Sequence, residues 1–138
     1  MLRSLTVACS FLALLAVAGC GDPGPNVSGE LVKDGQPYKL GANEQCAISL
    51  VGDGNNMFTA PVSADGHFNF TQVVPAGKYK VGLRHIGDYS AGGAKDKKAA
   101  MQDKFGGAFA DTTTPLSVDV SGTTKFVVDV GAKTVTKK

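Results

Sequence analysis

The side chains that could act as nucleophile, base or orienting acid are few in this chain. Cys46 is the candidate nucleophile, with His67 or His85 as the base and Asp53 or Asp65 as the orienting carboxylate. Apolar alternation places Cys46 and His85 in phase with the core, whereas His67 is out of phase with the phenylalanines that follow it. Regular strands therefore do not bring the three groups together, and we expect no enzyme active site.

Metal binding has equally little support from residue spacing. Two histidines and one thiol lack the short intervals typical of zinc ligands. The segment Asp53-Gly-Asn-Asn56 offers oxygen ligands for calcium, but the same residue types are typical of turns. We expect a turn at this segment and no metal ion or other cofactor.

Composition excludes further classes of function. The 138 residues allow one domain, and 14 Lys plus Arg against 12 Asp plus Glu leave a net charge of +2, which predicts no surface for nucleic acid. The chain has no Trp and only 7% aromatic residues. A glycan site would have to use Tyr38, Tyr79 or Tyr89 as its stacking platform, and alternation predicts that Tyr79 is buried.

The N-terminal segment has the pattern of an export signal. Arg3 precedes an apolar run that extends from Leu5 to Gly19, which is too short for a comfortable membrane span. We expect residues 1–19 to be a removed signal peptide. Residues 20–26 then form a short tether rich in Pro and Gly.

The end of the apolar run, Ala16-Val-Ala-Gly-Cys20, resembles the lipobox of bacterial lipoproteins. The resemblance implies that Cys20 receives diacylglycerol, becomes the mature N-terminus and holds the protein on membrane lipid, with palmitate among the acyl chains. We therefore expect the protein in the bacterial cell envelope, on the outer membrane or a periplasmic face rather than in the cytoplasm. An ordinary cleavage site or an uncleaved anchor is the alternative interpretation.

The assignment of Cys20 determines how many free thiols the mature domain keeps. Cys9 leaves with the signal peptide and Cys20 is modified, so Cys46 is the one thiol of the mature domain and no intrachain disulfide can form. Cys46 is in phase with Ile48 and Leu50. We expect a buried, unreactive thiol.

Alternation of apolar and polar residues predicts an all-β domain over residues 27–131. Six or seven short strands without a long amphipathic helix between them are typical of an antiparallel sandwich. Residues 132–138 are expected to form a flexible tail. The predicted core consists of the in-phase residues Ile48, Leu50, Phe68, Phe70, Val81, Leu83, Val118, Val120, Phe126 and Val128.

Residues 87–115 interrupt this pattern as a long loop. Within it, residues 94–104 are rich in helix formers and could make a short helix. Its basic residues alternate with aspartates, which favours a solvated surface over a polyanion site. These basic residues are Lys95, Lys97, Lys98 and Lys104.

Several segments together resemble carboxypeptidase regulatory-like domains. They are Val27-x-Gly-x-Leu31, Asp34-Gly-x-Pro37, Ser63-Ala-Asp-Gly-x-Phe68 and Pro75-Ala-Gly-Lys-Tyr-Lys-Val81. The C-terminal segments Asp103-Lys-Phe105, Thr114-Pro-Leu-Ser-Val-Asp-Val120 and Lys125-Phe-Val-Val-Asp-Val130 are similar to the ending of short lipoproteins from planctomycete-like bacteria. The chain departs from the family pattern by inserting Asn43-Glu44 and residues 52–56. The resemblance implies a transthyretin-like or Ig-like sandwich that is a noncatalytic module.

Two classes of function remain after these exclusions. The first is a membrane-anchored structural or interaction domain that meets another envelope protein through a sheet edge or the 87–115 loop. The second is a small-ligand or glycan-binding module, which requires a concave site with aromatic platforms. The sequence favours the first class, because it offers few exposed aromatic rings.

Overall fold

A computed structural model describes residues 25–88, 90, 98–99 and 101–138. Its described residues form one mixed sheet that curls nearly closed into a sandwich, in the order β7-β6-β3-β4-β5-β1-β8-β9, with β2 paired to β1. The strands are β1 Val27–Lys33, β2 Gln36–Pro37, β3 Gln45–Val51, β4 Met57–Val62, β5 His67–Phe70, β6 Gly77–Ile86, β7 Ser117–Val120, β8 Thr124–Asp129 and β9 Thr134–Lys137.

The all-β prediction is confirmed, but two details of the predicted sandwich are wrong. Nine strands are present among the described residues instead of six or seven, because β2 has only two residues and β9 contains a single apolar side chain, Val135. The sheet is also not purely antiparallel, since β1 and β8 run parallel. Alternation indicates which face a residue occupies, and it carries no information on which strand lies beside it.

The prediction of a flexible C-terminal tail is also wrong. Thr134–Lys137 forms β9, which pairs antiparallel with β8, and Val135 lies opposite Val128. The backbone N–H of Lys138 donates to the carbonyl of Lys125 at 2.9 Å. The tail is therefore the last strand of the sheet.

The core is built by the residues that alternation predicts to face inward. All of those predicted core residues are buried, and Tyr79 and Cys46 are buried with them. The rings of Phe68 and Phe126 pack with their centroids 5.2 Å apart across β5 and β8. Side chains with less than 2% exposure extend along most of the sheet: Phe126, Leu31, Ile48, Leu50, Val27, Val74, Val81 and Val128.

The described end of the 87–115 loop covers the edge of β6. Strand β7 pairs only with the first part of β6, from Gly77 to Lys80. Beyond it, the N–H of Val81 donates to the carbonyl of Leu116, just after the loop, and the N–H of Leu83 donates to the carbonyl of Phe109, at 2.9 Å each. Phe109, in the same loop, is buried. The loop thus satisfies backbone groups that would otherwise lie unpaired at a sheet edge. Of the predicted helix over 94–104, residues 94–97 and 100 lie outside the described residues, 98–99 are helical, and 101–104 form a turn with an isolated bridge from Asp103 to Ile86.

The loops of the sandwich gather at two ends. The chain enters β1 at Val27, opposite the last residue of β5 and beside the first residue of β8. The start of β6 lies at the same end, where it pairs with the last residues of β7 and β3. We call this the N-terminal end, and its loops are residues 52–56, 71–76 and 121–123. The distal end is opposite, and its loops are residues 34–35, 38–44, 63–66 and 130–133.

Two Asp-Gly pairs form turns at the distal end. Asp34 and Gly35 have φ of 51° and 79°, the pair of positive values that a type I′ hairpin turn requires. Gly66 has φ of 91° and donates its N–H to the carbonyl of Ser63 at 2.9 Å. Within the described ranges, the structure has no helix long and apolar enough to cross a membrane.

Candidate functional site

Four polar side chains form a continuous hydrogen-bonded chain at the distal end, and we call them the distal cluster. The Tyr38 hydroxyl lies 2.7 Å from Nδ1 of His85, and Nε2 of His85 lies 3.1 Å from Oε2 of Glu44. The other carboxylate oxygen of Glu44 pairs with Nζ of Lys104. The cluster joins the loop 38–44, strand β6 and the part of the 87–115 loop that contains Lys104.

Glu44 is the acceptor on which the cluster converges. It takes hydrogen bonds from Lys104, from the backbone N–H of Gly41 at 2.7 Å and from His85. These donors lower the pKa of Glu44 from 4.5 to about 2, with the Lys104 hydrogen bond as the largest cause. The carboxylate is therefore ionised at neutral pH, and it serves as a fixed acceptor rather than a proton donor.

The ionised carboxylate determines how the imidazole is used. Because Glu44 can only accept, Nε2 of His85 carries the hydrogen, and in the neutral ring Nδ1 then accepts from the Tyr38 hydroxyl. His85 is only 3% exposed. Burial raises the pKa of Tyr38, and nearby Cys46 and Glu44 add to the effect. Nδ1 of His85 is thus bonded to the Tyr38 hydroxyl, and Nε2 is bonded to Glu44.

Asp103 fastens the loop to the strand that carries the histidine. Its Oδ1 accepts from the backbone N–H of His85 at 2.9 Å and of Phe105 at 3.1 Å. The backbone N–H of Lys104 donates to the backbone carbonyl of His85 at 2.7 Å. The ring of Phe105 then packs 5.7 Å from that of Tyr38 and 5.4 Å from that of Phe109. The arrangement closes the loop over the edge of β6.

Cys46 lies opposite His85 in the register of β3 and β6. Burial raises the pKa of the Cys46 thiol to about 12, and Asp103 contributes to the rise. A thiol with such a pKa is protonated at neutral pH, and a nucleophilic cysteine needs the opposite shift. The prediction of a buried Cys46 is confirmed, and so is its register with Ile48 and Leu50.

The other proposed members of a catalytic site lie elsewhere. The side chain of His67 is 58% exposed, and its ring nitrogens lie 3.9 Å from Glu30 and 3.8 Å from Asp65. The hydroxyl of Ser63 donates to Asp65 and lowers the pKa of that carboxyl. The structure therefore brings Cys46 and His85 together but leaves His67 and Asp65 at a surface turn.

The Asp53 segment forms a short turn at the N-terminal end. Residues Asp53–Asn55 make a single 3-10 turn with no buried residue. They line one side of a groove of about 540 Å3, whose other side is formed by Lys78, Lys80 and Asp111. In the part of the chain that the structure describes, no group of three or more His, Cys, Asp or Glu side chains could hold a metal ion.

A second groove of about 440 Å3 lies on the outer face of β3, β4 and β6. Its apolar lining includes Ala47, Pro61 and Ile86, and Arg84 supplies a positive charge. Pro61 and Arg84 are exposed, whereas Ala47 and Ile86 are half-buried. This groove has a shallow apolar floor, and two charged side chains, Arg84 and Glu44, line it.

The two tyrosines that the structure describes, Tyr38 and Tyr79, do not form an open aromatic platform. Tyr38 is held by His85, and Tyr79 is buried with its hydroxyl donating to the carbonyl of Pro75 at 2.8 Å. Tyr89 lies outside the described residues, as do Cys20, Lys95 and Lys97. Among the described residues, the chain therefore has no fully exposed tyrosine ring on which a sugar could stack.

Sequence alternation predicts that His85 faces inward but gives no partner for it. Glu44 is 41 residues away from His85 and 60 residues away from Lys104. Lys104 belongs to the lysine set that the sequence predicts to be a solvated face. Its side chain is 44% exposed, but its Nζ forms an ion pair with Glu44. Contacts between distant polar loops leave no periodic signal that could have revealed the distal cluster.

Comparison with protein-family models, with curated proteins and with solved structures gives no match to this chain.

Proposed function

We propose that this chain is an envelope lipoprotein, anchored through an acylated Cys20, whose β-sandwich is a noncatalytic structural or protein-interaction domain. The observation that carries the domain's part of the proposal is the closure of the distal cluster. The side chains of Tyr38, His85, Glu44 and Lys104 hydrogen-bond to one another there, and Asp103 accepts from the backbone N–H of His85 on β6. The anchor is supported by the Cys20 motif directly after the apolar segment.

The electrostatics of the cluster favour a structural role. A general base needs a pKa near the working pH and free access to substrate. Glu44, with a pKa of about 2, and Cys46, with a pKa of about 12, are both far from that range. His85 is 3% exposed and has a hydrogen-bond partner at each ring nitrogen. These groups stabilise the fold instead of meeting a substrate.

The outer groove supports contact with another protein. Strands β3, β4 and β6 present Ala47, Pro61 and Ile86 to the outside, where a soluble domain gains nothing from apolar side chains. Arg84 at the rim would select a partner with a carboxylate at the matching position. A glycan is less well supported, because the rings of Tyr38 and Tyr79 are already in use.

Metabolic labelling with a clickable palmitate tests the anchor. Cells that express the full chain should incorporate label into the protein, and the Cys20→Ala variant should lose it. Equal labelling of the two forms would contradict the assignment of Cys20.

Crosslinking in intact cells, followed by affinity capture of the chain, tests the interaction domain. We expect a specific partner to be captured with wild type and lost with Arg84→Glu, whereas Lys125→Glu, which lies on β8 away from the groove, should retain it. Capture that is equal for the three proteins would contradict a role for the groove.

A further inference from the structure

The N-terminal end of the sandwich exposes apolar side chains. Across the described residues, three large hydrophobic side chains are exposed, and two of them, Val73 at 61% and Met57 at 56%, lie at this end. Val73 belongs to the loop 71–76, and Met57 directly follows the loop 52–56. Large apolar side chains that share one end of a small domain are a candidate contact surface.

The exposed position of Val73 is fixed by its neighbours. Val74 is 1% exposed and packs in the core, so the preceding side chain points away from it. Two residues further on, the carbonyl of Pro75 accepts the hydroxyl of buried Tyr79 at 2.8 Å. The loop is therefore attached to the core directly after Val73, and this attachment holds the Val73 side chain outward.

The loops at this end are also nearly free of charge. Residues 71–76 and 121–123 contain no Asp, Glu, Lys or Arg, and residues 52–56 contain only Asp53. Moving a charged side chain toward hydrocarbon is costly, whereas threonine, serine and valine tolerate the headgroup region. The loop 71–76 around Val73 therefore carries no charge that would oppose contact with lipid, and the nearest charged side chain of β6 is Lys78.

The reach of the chain places the same end near the membrane. Six peptide links join Cys20 to Asn26, so this stretch spans about 20 Å at most. Strand β6 has 10 residues and extends about 30 Å along the sandwich. The N-terminal end is thus within reach of a bilayer that holds Cys20, and the distal end is a full strand length further away.

We propose that the N-terminal end of the sandwich rests on the lipid surface, with Val73 and Met57 in the headgroup region and the distal end directed away from the membrane. The inference rests on the proposed anchor at Cys20. It adds an orientation that a tether alone would not impose, because a tethered domain could rotate freely. The contact with lipid is made by the protein's own loops.

Depth-dependent quenching in vesicles tests this orientation. The full acylated chain, in a Cys46→Ala background, is reconstituted in phosphatidylglycerol-phosphatidylethanolamine vesicles with a fluorophore on Val73→Cys or on Ala64→Cys. Ala64 is exposed in the distal turn 63–66 and is the matched control. Nitroxide-labelled lipid should quench the fluorophore at position 73 several-fold more strongly than the fluorophore at position 64.

A charged variant provides the second measurement. With the fluorophore on Thr123→Cys, at the same end, Val73→Asp should lower quenching by lipid, and Ala64→Asp should leave it unchanged. Circular dichroism of each variant checks that the fold is retained.

The outcomes separate the two proposals. Protein that floats with the vesicles but shows equal quenching at positions 73 and 64 overturns the orientation and leaves the anchor intact. Protein that is not acylated and does not float overturns the anchor and the orientation with it. A third outcome concerns the charged variant. If the fluorophore at position 73 is strongly quenched but Val73→Asp does not lower the quenching of the fluorophore at position 123, the contact between Val73 and lipid is also overturned.

Discussion

The loops at the two ends of the sandwich are held by different kinds of hydrogen-bond acceptor. At the distal end, carboxylates accept hydrogen bonds from turn backbones: Asp129 takes them from the N–H groups of Asp34, Gly35, Gly131 and Ala132, at 2.9 to 3.0 Å. At the N-terminal end, neutral groups close the loops, as where the N–H of Gly52 donates to the carbonyl of Asn56 at 2.8 Å. The distal loops are thus rich in charged side chains and held by internal hydrogen bonds. The loops at the N-terminal end carry one charged side chain, Asp53, although Lys78, Lys80 and Asp111 line the groove beside it.

This difference shows that two ends of one small domain can be built for different surroundings. Ionised acceptors are stable where water can solvate their remaining lone pairs, and they form stronger hydrogen bonds than neutral groups do. Neutral loops lose less on approach to a surface of low dielectric constant. The contrast therefore supports a domain with one end toward lipid and the other toward the aqueous compartment.

The largest expected effect comes from the core at the N-terminal end. Phe70 is 3% exposed and packs against Phe68, so Phe70→Ala should lower the free energy of unfolding by about 3 to 5 kcal/mol. Val73→Ala, three residues away in the same loop region, should change it by less than about 0.5 kcal/mol. Urea unfolding of both variants measures this. A large loss with Val73→Ala would show that Val73 serves the fold instead of a surface.

The distal cluster should give the next largest effect. Glu44→Gln removes the charge that holds Lys104 and His85, and we expect a loss of about 2 kcal/mol in the free energy of unfolding. The control is Glu30→Gln, whose side chain is 39% exposed and pairs with Lys138 at 3.0 Å. That exposed pair should contribute less than about 0.5 kcal/mol. Equal effects of the two substitutions would remove the distinction between a closed cluster and surface ion pairs.

The contribution of Glu44 should also depend on pH with a defined sign. Its pKa is lowered on folding from 4.5 to about 2, so the stabilisation is fully present above pH 4.5 and is lost as the pH falls toward 2. The difference in unfolding free energy between wild type and Glu44→Gln should therefore narrow between pH 6 and pH 2.5. A difference that stays constant over this range would contradict an ionised Glu44 at the centre of the cluster.

A smaller effect is expected where Asp129 joins two distal turns. Asp129→Ala leaves four backbone N–H groups to water, and since this site is partly exposed we expect a loss of about 1 kcal/mol. Asp119→Ala, at an exposed position of β7, is the matched control and should have almost no effect. In hydrogen-exchange measurements, the backbone amides of Asp34 and Gly131 should exchange faster in Asp129→Ala than in wild type, and Asp119→Ala should leave their exchange rates unchanged.

The last prediction concerns the reactivity of the Cys46 thiol, for which we expect almost no reaction in the folded domain. The thiol is 4% exposed and its pKa is raised to about 12 by burial, so the folded domain should resist a thiol reagent such as DTNB at pH 8. Urea-unfolded protein should react at once, which is the control. Rapid reaction of the folded protein would mean that the distal side of the core opens readily.

Much of the fold could be predicted from the sequence because period-two alternation is local. It identified the inward face of β3 through Cys46, and that of β8 through Phe126 and Val128. It missed β9, because Thr134–Lys137 has one apolar residue and is held by its pairing with β8. The parallel pairing of β1 with β8 joins segments far apart in the chain, which no local pattern encodes.

The distal cluster was less predictable than the core for a related reason. The position of His85 on an inward face follows from alternation with Val81 and Leu83. That Glu44 and Tyr38 meet it depends on the path of the loop 38–44, which hydrogen bonds such as that from the N–H of Leu40 to the carbonyl of Ala64 hold in place. Loop paths are determined by tertiary contacts, so polar clusters formed by loops emerge only from the folded structure.

Contact of each end of the sandwich with lipid can be measured most directly in intact cells that acylate the chain. A photoreactive amino acid is placed at Val73, at the N-terminal end, or at Ala64, in the distal turn, and lipid adducts of the purified protein are identified by mass spectrometry. We predict lipid adducts from position 73 and none from position 64, where the side chain faces the aqueous compartment. Lipid adducts from position 64, or equal yields from both positions, would contradict the account.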